Sequence, residues 1–370
     1  MDRVHFCWNQ KNSNSLAALM PLVRGAHMVQ KAEDGIMVFS FSTAQAGAVF
    51  KEVEESSTDS LYIAGGPHPS ARWQECLEYF DYVVVGEGEE TLPELVNSIQ
   101  RGDTAEVKGI AYMDGDRCVY TGARPPVDLN HYPPFSHELL KGYIEITRGC
   151  PHNCAYCQTP RLFGHRMRHR NPEMVAEYAG MMRDVRFVSP NAFAYGSHGN
   201  RPEPNKIQTL LEAVSRKCRM FFGTFPSEVR PEFVNNEILE LVKQYCQNTS
   251  LSLGAQSGSQ RVLDDIQRGH TVEDVKCAVE LCREYDLTPV VDVIFGLPGE
   301  IPADQQETLE LVEWIISQDG RIHSHYFTPL PGTPLQDRVP SPVSKDVNRA
   351  MGKLALGGMV TGVWEPGVRR

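Results

Sequence analysis

The chain has 370 residues, 41% of them hydrophobic, which is long for one ordinary domain and sufficient for two with cores of their own. Its net charge of −11 excludes nonspecific nucleic-acid binding, which needs a basic surface, and is read as solubility. No apolar run approaches a membrane span, and the start Met1-Asp2-Arg3-Val4-His5 lacks the apolar segment of a secretory signal.

Residues 1–125 alternate strand-like and helix-like pieces. Val4–Trp8 is a short apolar run, and Asn14–Arg24 has helical spacing at Leu16, Leu19, Met20 and Val23, with Asn14 or Ser15 as its cap. The next strands are expected at Gly35–Phe41, Leu61–Ala64 and Tyr82–Val85, with helices at Ala44–Glu55, after Ser70, and at Thr91–Arg101. Such alternation implies a Rossmann-like open parallel sheet with helices on both faces. Ligands of such sheets bind beyond the carboxyl ends of the strands. Three polar turns fall at that edge: Ser40, Ser42 and Thr43; Gly65, Gly66, Pro67 and His68; and Gly86, Glu87, Gly88 and Glu89. Glycine there permits close approach of backbone to a ligand, although an ordinary strand–helix turn reads the same way. No G-x-G-x-x-G fingerprint is present. Lys108–Val119 reads as a hairpin around Asp114-Gly115-Asp116, and residues 126–140, rich in proline at their start, form the linker.

From residue 141 to 340 the pattern is repeated strand–helix. Strands are expected at Tyr143–Thr147, Val185–Val188, Arg219–Gly223, Ser250–Leu253, Pro289–Phe295 and His323–Phe327. Six units imply a partial (β/α)6 TIM-like barrel with its chemistry at the carboxyl ends of the strands. Residues 341–370 are a tail with one helix, Lys345–Leu356, and an end that caps the barrel or is mobile.

Of the ten cysteines, seven (Cys7, Cys76, Cys118, Cys218, Cys246, Cys277 and Cys282) have no ligand spacing and read as reduced thiols of a cytoplasmic protein. The other three, Cys150, Cys154 and Cys157, follow the first barrel strand with C-x3-C-x2-C spacing. A closed structural site would use a full ligand set, whereas three thiolates leave an iron–sulfur cluster with one iron open to substrate. Zinc completed by His152 or His165, or three unconnected thiols, are the other readings of the bare spacing.

This motif, with Tyr156 just before its last cysteine, resembles the radical S-adenosylmethionine (SAM) family. The resemblance implies a [4Fe-4S] cluster on Cys150, Cys154 and Cys157 whose free iron chelates SAM, an external electron donor, and reductive cleavage to a 5′-deoxyadenosyl radical. It places Tyr156 beside adenine, Gln256 and Arg268 on SAM, Ser227 and Glu228 on the ribose or amino group, and Gly296 against adenine. A guanidinium suits a carboxylate, but Arg268 could equally end a helix, Ser227 could cap one, and Gly296 could be a simple turn. On the sixth strand His323 and His325 share one face and Tyr326 takes the other. Any of them could reach substrate or pack in the barrel, and Tyr326 is the named catalytic candidate.

A Rossmann-like domain directly before such a core, with Gly-Gly-Pro-His and Gly-Glu-Gly-Glu turns, resembles the cobalamin-binding (B12) radical SAM subfamily, whose turns cradle the corrin. Asp-x-His-x-x-Gly is absent, so no histidine from that motif lies below cobalt, and Ser40–Thr43 is the nearest source of lower-face contacts. The resemblance implies methylation of an unactivated sp3 carbon through methylcobalamin and the radical. Size and motif wording are similar to archaeal enzymes that methylate a glutamine carbon of methyl-coenzyme M reductase, which would make a protein or peptide the partner. A cobalamin-dependent rearrangement or oxidation of a small molecule is the alternative. A methylthiotransferase would need three amino-terminal cysteines in a context that Cys7, Cys76 and Cys118 do not provide.

Overall fold

The computed structural model describes residues 3–104, 106–136 and 142–366. It divides into one compact unit of Met1–Tyr143 with Arg161–Gly164, and a second of Ile144–Pro160 with His165–Arg370. The boundary expected at 140/141 lies outside the described residues.

The first unit is a seven-stranded sheet: β1 (Val4–Cys7), β2 (Ala26–Val29), β3 (Gly35–Ser40), β4 (Ser60–Gly65), β5 (Tyr82–Val84), β6 (Ile110–Asp114) and β7 (Arg117–Tyr120), in the order 2-1-3-4-5-6-7. The first five are parallel, and the hairpin β6–β7 adds antiparallel strands at one edge. Alternation along β3 shows why both faces bury. Ile36 and Val38 enter one core with Leu92, Leu95 and Val96, while Met37 and Phe39 enter the other with Ala46, Val49 and Phe50. The first core is closed by the helix Gly88–Arg101 and the second by the helix Thr43–Glu54.

The strand β2 has no counterpart in the sequence reading. Its residues Ala26, His27, Met28 and Val29 are exposed or half-buried at the sheet edge, so they carry no apolar alternation. The first helix starts at Ser13 with Asn12, not Asn14 or Ser15, at its cap position. The Asn12 side-chain amide instead donates to Cys7 O at 2.9 Å and Ser40 O at 3.2 Å, tying the ends of β1 and β3 together.

The second unit begins with a broken strand. β8 (Ile144–Glu145) pairs with β11 (Asp184–Val188), whereas β9 (Thr147–Arg148) turns away to pair antiparallel with β10 (Arg168–His169). β11 continues to β12 (Arg219–Phe221). A second run comprises β13 (Ser250–Gln256), β14 (Thr288–Phe295), β15 (Arg321–Tyr326) and β16 (Val360–Gly362), all parallel. Backbone bonds Gln247 N–H to Met220 O (2.9 Å) and Ser252 N–H to Gly223 O (2.8 Å) join the two runs into a partial barrel. The tail helix forms at Lys345–Leu356 as expected, but the residues after it add the strand β16. Gly362 makes that pairing possible, because a Cβ there would lie 2.1 Å from Ser324 O.

Candidate active site

The cysteine loop is fixed from several sides. Ala155 N–H donates to Ile266 O at 2.9 Å, Cys157 N–H to Cys154 O at 3.1 Å, and the Gln158 amide to Pro331 O at 2.8 Å. Tyr156 packs on a cluster of Val262, Leu263, Ile266, Ile294, Leu297 and Phe327. Cys150, Cys154, Tyr156 and Cys157 then line one cavity of about 350 Å³, together with His152, Ser189, Glu228, Arg230, Gln256, Arg268 and His325. Burial pushes the Cys150 thiol up, so a metal held there would have to take the place of its proton. His152 is held down at about 4 by burial and by Arg230 and Arg268, and is neutral; His165 is not among the lining residues.

Glu228, Gln256 and Arg268 converge on one backbone position. A Cβ added to Gly254 would sit 2.6 Å from Gln256 Nε2, 2.6 Å from Glu228 Oε2 and 2.7 Å from Arg268 Nη2. A register shift between Gly254 and Gln256 breaks the β13–β14 ladder, and Gln256 adopts φ +73°, in the left-handed region. Bulges of this kind re-aim a side chain at a strand end. Arg268 is anchored by donating from Nη2 to Gly254 O at 2.8 Å, and its Nη1 lies 3.7 Å from Cys154 Sγ. Desolvation in the cavity, with the Asp292 carboxylate nearby, pushes the Glu228 carboxyl above its ordinary value.

Three expected site residues are turned elsewhere. Ser227 is buried and donates to Ser189 O at 3.2 Å. Gly296 does not line the cavity; a Cβ there would lie 2.5 Å from the Tyr326 ring, so its glycine serves that contact. Tyr326 itself faces away and donates to Ser341 O at 3.4 Å. Its neighbour His325 is the sixth-strand residue on the cavity. His325 Nε2 lies 3.4 Å from Asp292 Oδ1, which raises its pKa, and its ring packs edge-on to His323 at 4.7 Å. One ligand atom from each of Asp292, His323 and His325 falls within 4.8 Å of the others. Sequence reasoning passed over Asp292, although a lone carboxylate in the apolar run Pro289–Phe295 was a visible signal. It also passed over Gly254 and Arg230.

In the first unit, the turns after β3, β4 and β5 meet at one edge. Gly66 has φ +99°, and a Cβ there would lie 3.0 Å from both Phe41 O and Ser40 Oγ. Ser42 caps its helix through Gln45, and Thr43 Oγ1 is 3.3 Å from His68 Nδ1. Gly65 pairs with Ser40 across the sheet, Pro67 starts a short helix, and Gly86 N–H donates to Ser70 Oγ at 3.0 Å. Ser70, Gly86 and Glu87 line a cavity of about 220 Å³. Other predicted edge residues have structural duties. His68 is buried against Phe41 and Phe50. Glu87 accepts from Val127 N–H at 2.7 Å. Gly88 and Glu89 belong to the helix, where Gly88 packs on Leu19 and Glu89 is buried.

A family model for the B12 binding domain matches residues 27–96, and one for the radical SAM superfamily matches residues 144–312. The chain carries a B12-binding domain followed by a radical SAM domain. An uncharacterized protein of Methanopyrus kandleri is 25% identical over 82% of the chain and 67% of its own length. A Methanocaldococcus jannaschii protein provisionally named a methylthiotransferase is 30% identical over 78% of the chain, which spans only 64% of that relative. Among solved structures, the radical SAM methyltransferase TsrM of Kitasatospora setae, with cobalamin and a [4Fe-4S] cluster bound, has a TM-score of 0.71 at 18% identity, covering 91% of this chain and 77% of TsrM. That likeness is one of fold.

The cofactors that go with the two domains are a [4Fe-4S] cluster, SAM and cobalamin. The residues present fit them. The radical SAM domain gathers three cysteines, two guanidiniums and an acid in one cavity, a donor set for a cluster with a zwitterion beside it. The B12-binding domain has, at its strand ends, half-exposed Ser42, Thr43, Gly66, Ser70 and Gly86, while His68 is turned inward and presents no imidazole. Among the described residues no helix is long and apolar enough to cross a membrane.

Proposed function

We propose that the chain is a cobalamin-dependent radical SAM C-methyltransferase that methylates an unactivated sp3 carbon. The observation that carries this reading is the single cavity in which Cys150, Cys154 and Cys157 meet Glu228, Gln256 and Arg268, in a chain that also has a B12-binding domain. When bound, the cofactors supply a 5′-deoxyadenosyl radical to remove a substrate hydrogen and a methyl group to replace it. The chain's own residues position the reactants. Arg268 offers its guanidinium to the SAM carboxylate, Glu228 accepts from the amino group or ribose, and Gln256 is aimed at the same point by its bulge. His325, braced by Asp292, is the residue available to the substrate.

The narrower reading is a protein side chain as substrate, such as a glutamine of methyl-coenzyme M reductase, with an external one-electron donor. It is supported by the incomplete barrel, whose edge strands β8 and β16 each pair on one side only among the described residues. The methylthiotransferase name of a relative raises a second reading. Against it, Cys7 is buried on β1 and donates to Glu52, Cys76 is buried in another helix, and Cys118 is exposed on β7, so these three do not form a second cluster site. The test is anaerobic reconstitution with iron, sulfide and cobalamin, followed by SAM and candidate peptides. A mass gain of one CH2 with both 5′-deoxyadenosine and S-adenosylhomocysteine supports methyl transfer. Sulfur in the product, or 5′-deoxyadenosine without S-adenosylhomocysteine, refutes it.

A further inference from the structure

Beside the cysteine loop lies an ion pair, Arg230 with Glu232, of which only the guanidinium lines the cavity described above. Arg230 is 3% exposed, and each nitrogen of its guanidinium has a partner. Nε donates to Glu232 Oε1 at 2.6 Å, Nη2 donates to the carbonyl of Arg268, and Nη1 points at Cys154 Sγ at 3.9 Å. A planar guanidinium held at two corners has its third direction fixed. Arg268 also reaches that sulfur, but it is the residue whose guanidinium faces Gln256 and Glu228 around Gly254. Arg230 has no such second face.

Glu232 is bound into the same arrangement from one side. Its Oε2 lies 3.6 Å from His270 Nδ1, and His270 Nε2 lies 3.1 Å from Ala255 O. Burial holds His270 far below its ordinary value, at about 2, so it is neutral. With Nε2–H donating to Ala255 O, Nδ1 is a bare acceptor facing a carboxylate. The cation that answers Glu232 is therefore Arg230.

We propose that Arg230, oriented by Glu232, donates a charged hydrogen bond to the Cys154 thiolate and that this pair sets the reduction potential of the cluster. Adding an electron increases the negative charge spread over the cluster sulfurs. A donor on a ligand sulfur and a nearby cation stabilise the reduced form and raise the potential, and a nearby carboxylate opposes them. The couple involved is one electron per cluster, with no bond made or broken, and the electron comes from a low-potential one-electron donor such as dithionite. The proposal rests on the cluster and not on methyl transfer, so the two fail separately.

The test is a redox titration of the full chain, cluster reconstituted, no cobalamin or SAM added, followed by the paramagnetic signal of the reduced cluster. Removing Arg230 alone would leave the half-buried Glu232 carboxylate without its cation, so the variants are E232Q and the doubly substituted R230M/E232Q, which keeps the net charge. E232Q leaves the donor and removes the opposing charge, and its midpoint moves to more positive potential. R230M/E232Q removes the donor, and its midpoint moves below that of the wild type. Iron and sulfide content stay at wild-type level in both. Midpoints that do not move, or that move in the same direction, overturn the proposal. Loss of the cluster from E232Q does so too, because the pair would then be a clasp for the loop.

Discussion

Substituting Gly254 by alanine isolates the site geometry from the fold. The backbone at Gly254 is not in the left-handed region, so alanine is conformationally acceptable there. The added carbon would nonetheless lie 2.6 Å from Gln256 Nε2, 2.6 Å from Glu228 Oε2 and 2.7 Å from Arg268 Nη2. Ordinary contact requires each polar end to retreat by roughly 0.8 Å. Arg268 cannot do so without disturbing its bond to Gly254 O. Overpacking of this kind costs about 1–3 kcal/mol of stability. Losing one charge-assisted hydrogen bond to SAM costs about 1.5–3 kcal/mol, equivalent to roughly 10- to 150-fold weaker binding. The assay is anaerobic equilibrium dialysis of SAM against cluster-loaded protein, with iron content measured alongside. Gly47→Ala is the control: it lies in the helix Thr43–Glu54, has nothing within 4 Å of its added carbon, and should leave SAM binding unchanged. If Gly254→Ala retained SAM affinity within about threefold of wild type, a factor worth only ~0.7 kcal/mol, the convergence on Gly254 would not be a SAM site.

Replacing Cys150, Cys154 and Cys157 together by alanine should abolish iron retention and 5′-deoxyadenosine formation, while cobalamin uptake, read by its absorbance after gel filtration, persists; loss of both would refute the division of labour between the domains. Gly66→Ala forces a side chain onto φ +99° and against Phe41 O and Ser40 Oγ, at a cost of about 1–3 kcal/mol, and should weaken cobalamin binding without altering cluster content. Glu300, 7% exposed, is raised from 4.5 to about 7 by burial. Its folded form holds the proton more tightly than the unfolded chain, so stability is full below about pH 4.5 and falls as pH rises toward 7, by at most roughly 3 kcal/mol. Urea unfolding at pH 5 and pH 8 should show a larger loss in the wild type than in Glu300→Gln, where the raised Glu228 carboxyl still contributes; parallel pH profiles for the two proteins would contradict it.

The parts legible in the sequence were those that one local period or spacing determines. Alternating burial along β3 follows from Ile36-Met37-Val38-Phe39 alone, and the three cysteines announce themselves by spacing. The hairpin β6–β7 was visible for the same reason, a Gly115 turn between two short runs. Strands that pair at an edge were not. β2 has exposed residues and β16 is three residues long, and each exists because a neighbouring strand offers it hydrogen bonds. Side-chain direction at the strand ends was the least legible. Ser227, Gly296 and Tyr326 stand at the right strand ends, but Ser189 O claims the first and the last two claim each other. Which member of a turn faces the cavity depends on what lies behind it, and that is a tertiary contact.

The cavity presents charges of both signs, and that bears on what it can hold. Arg230 and Arg268 stand on the side of Cys154, within 3.9 Å and 3.7 Å of its sulfur. Glu228 and His325 line the cavity too, and Asp292, the carboxylate that braces His325 from behind, helps to push the Glu228 carboxyl up. A purely anionic ligand would meet the Glu228 carboxylate as well as the guanidiniums, and a cation the reverse. An amino acid zwitterion satisfies both, its carboxylate toward the guanidiniums and its ammonium toward Glu228, and in doing so it returns Glu228 to its charged form. Binding such a ligand should therefore release a proton from Glu228, measurable as buffer-dependent heat on SAM binding, and no proton uptake or release would count against the carboxylate as the ammonium's partner.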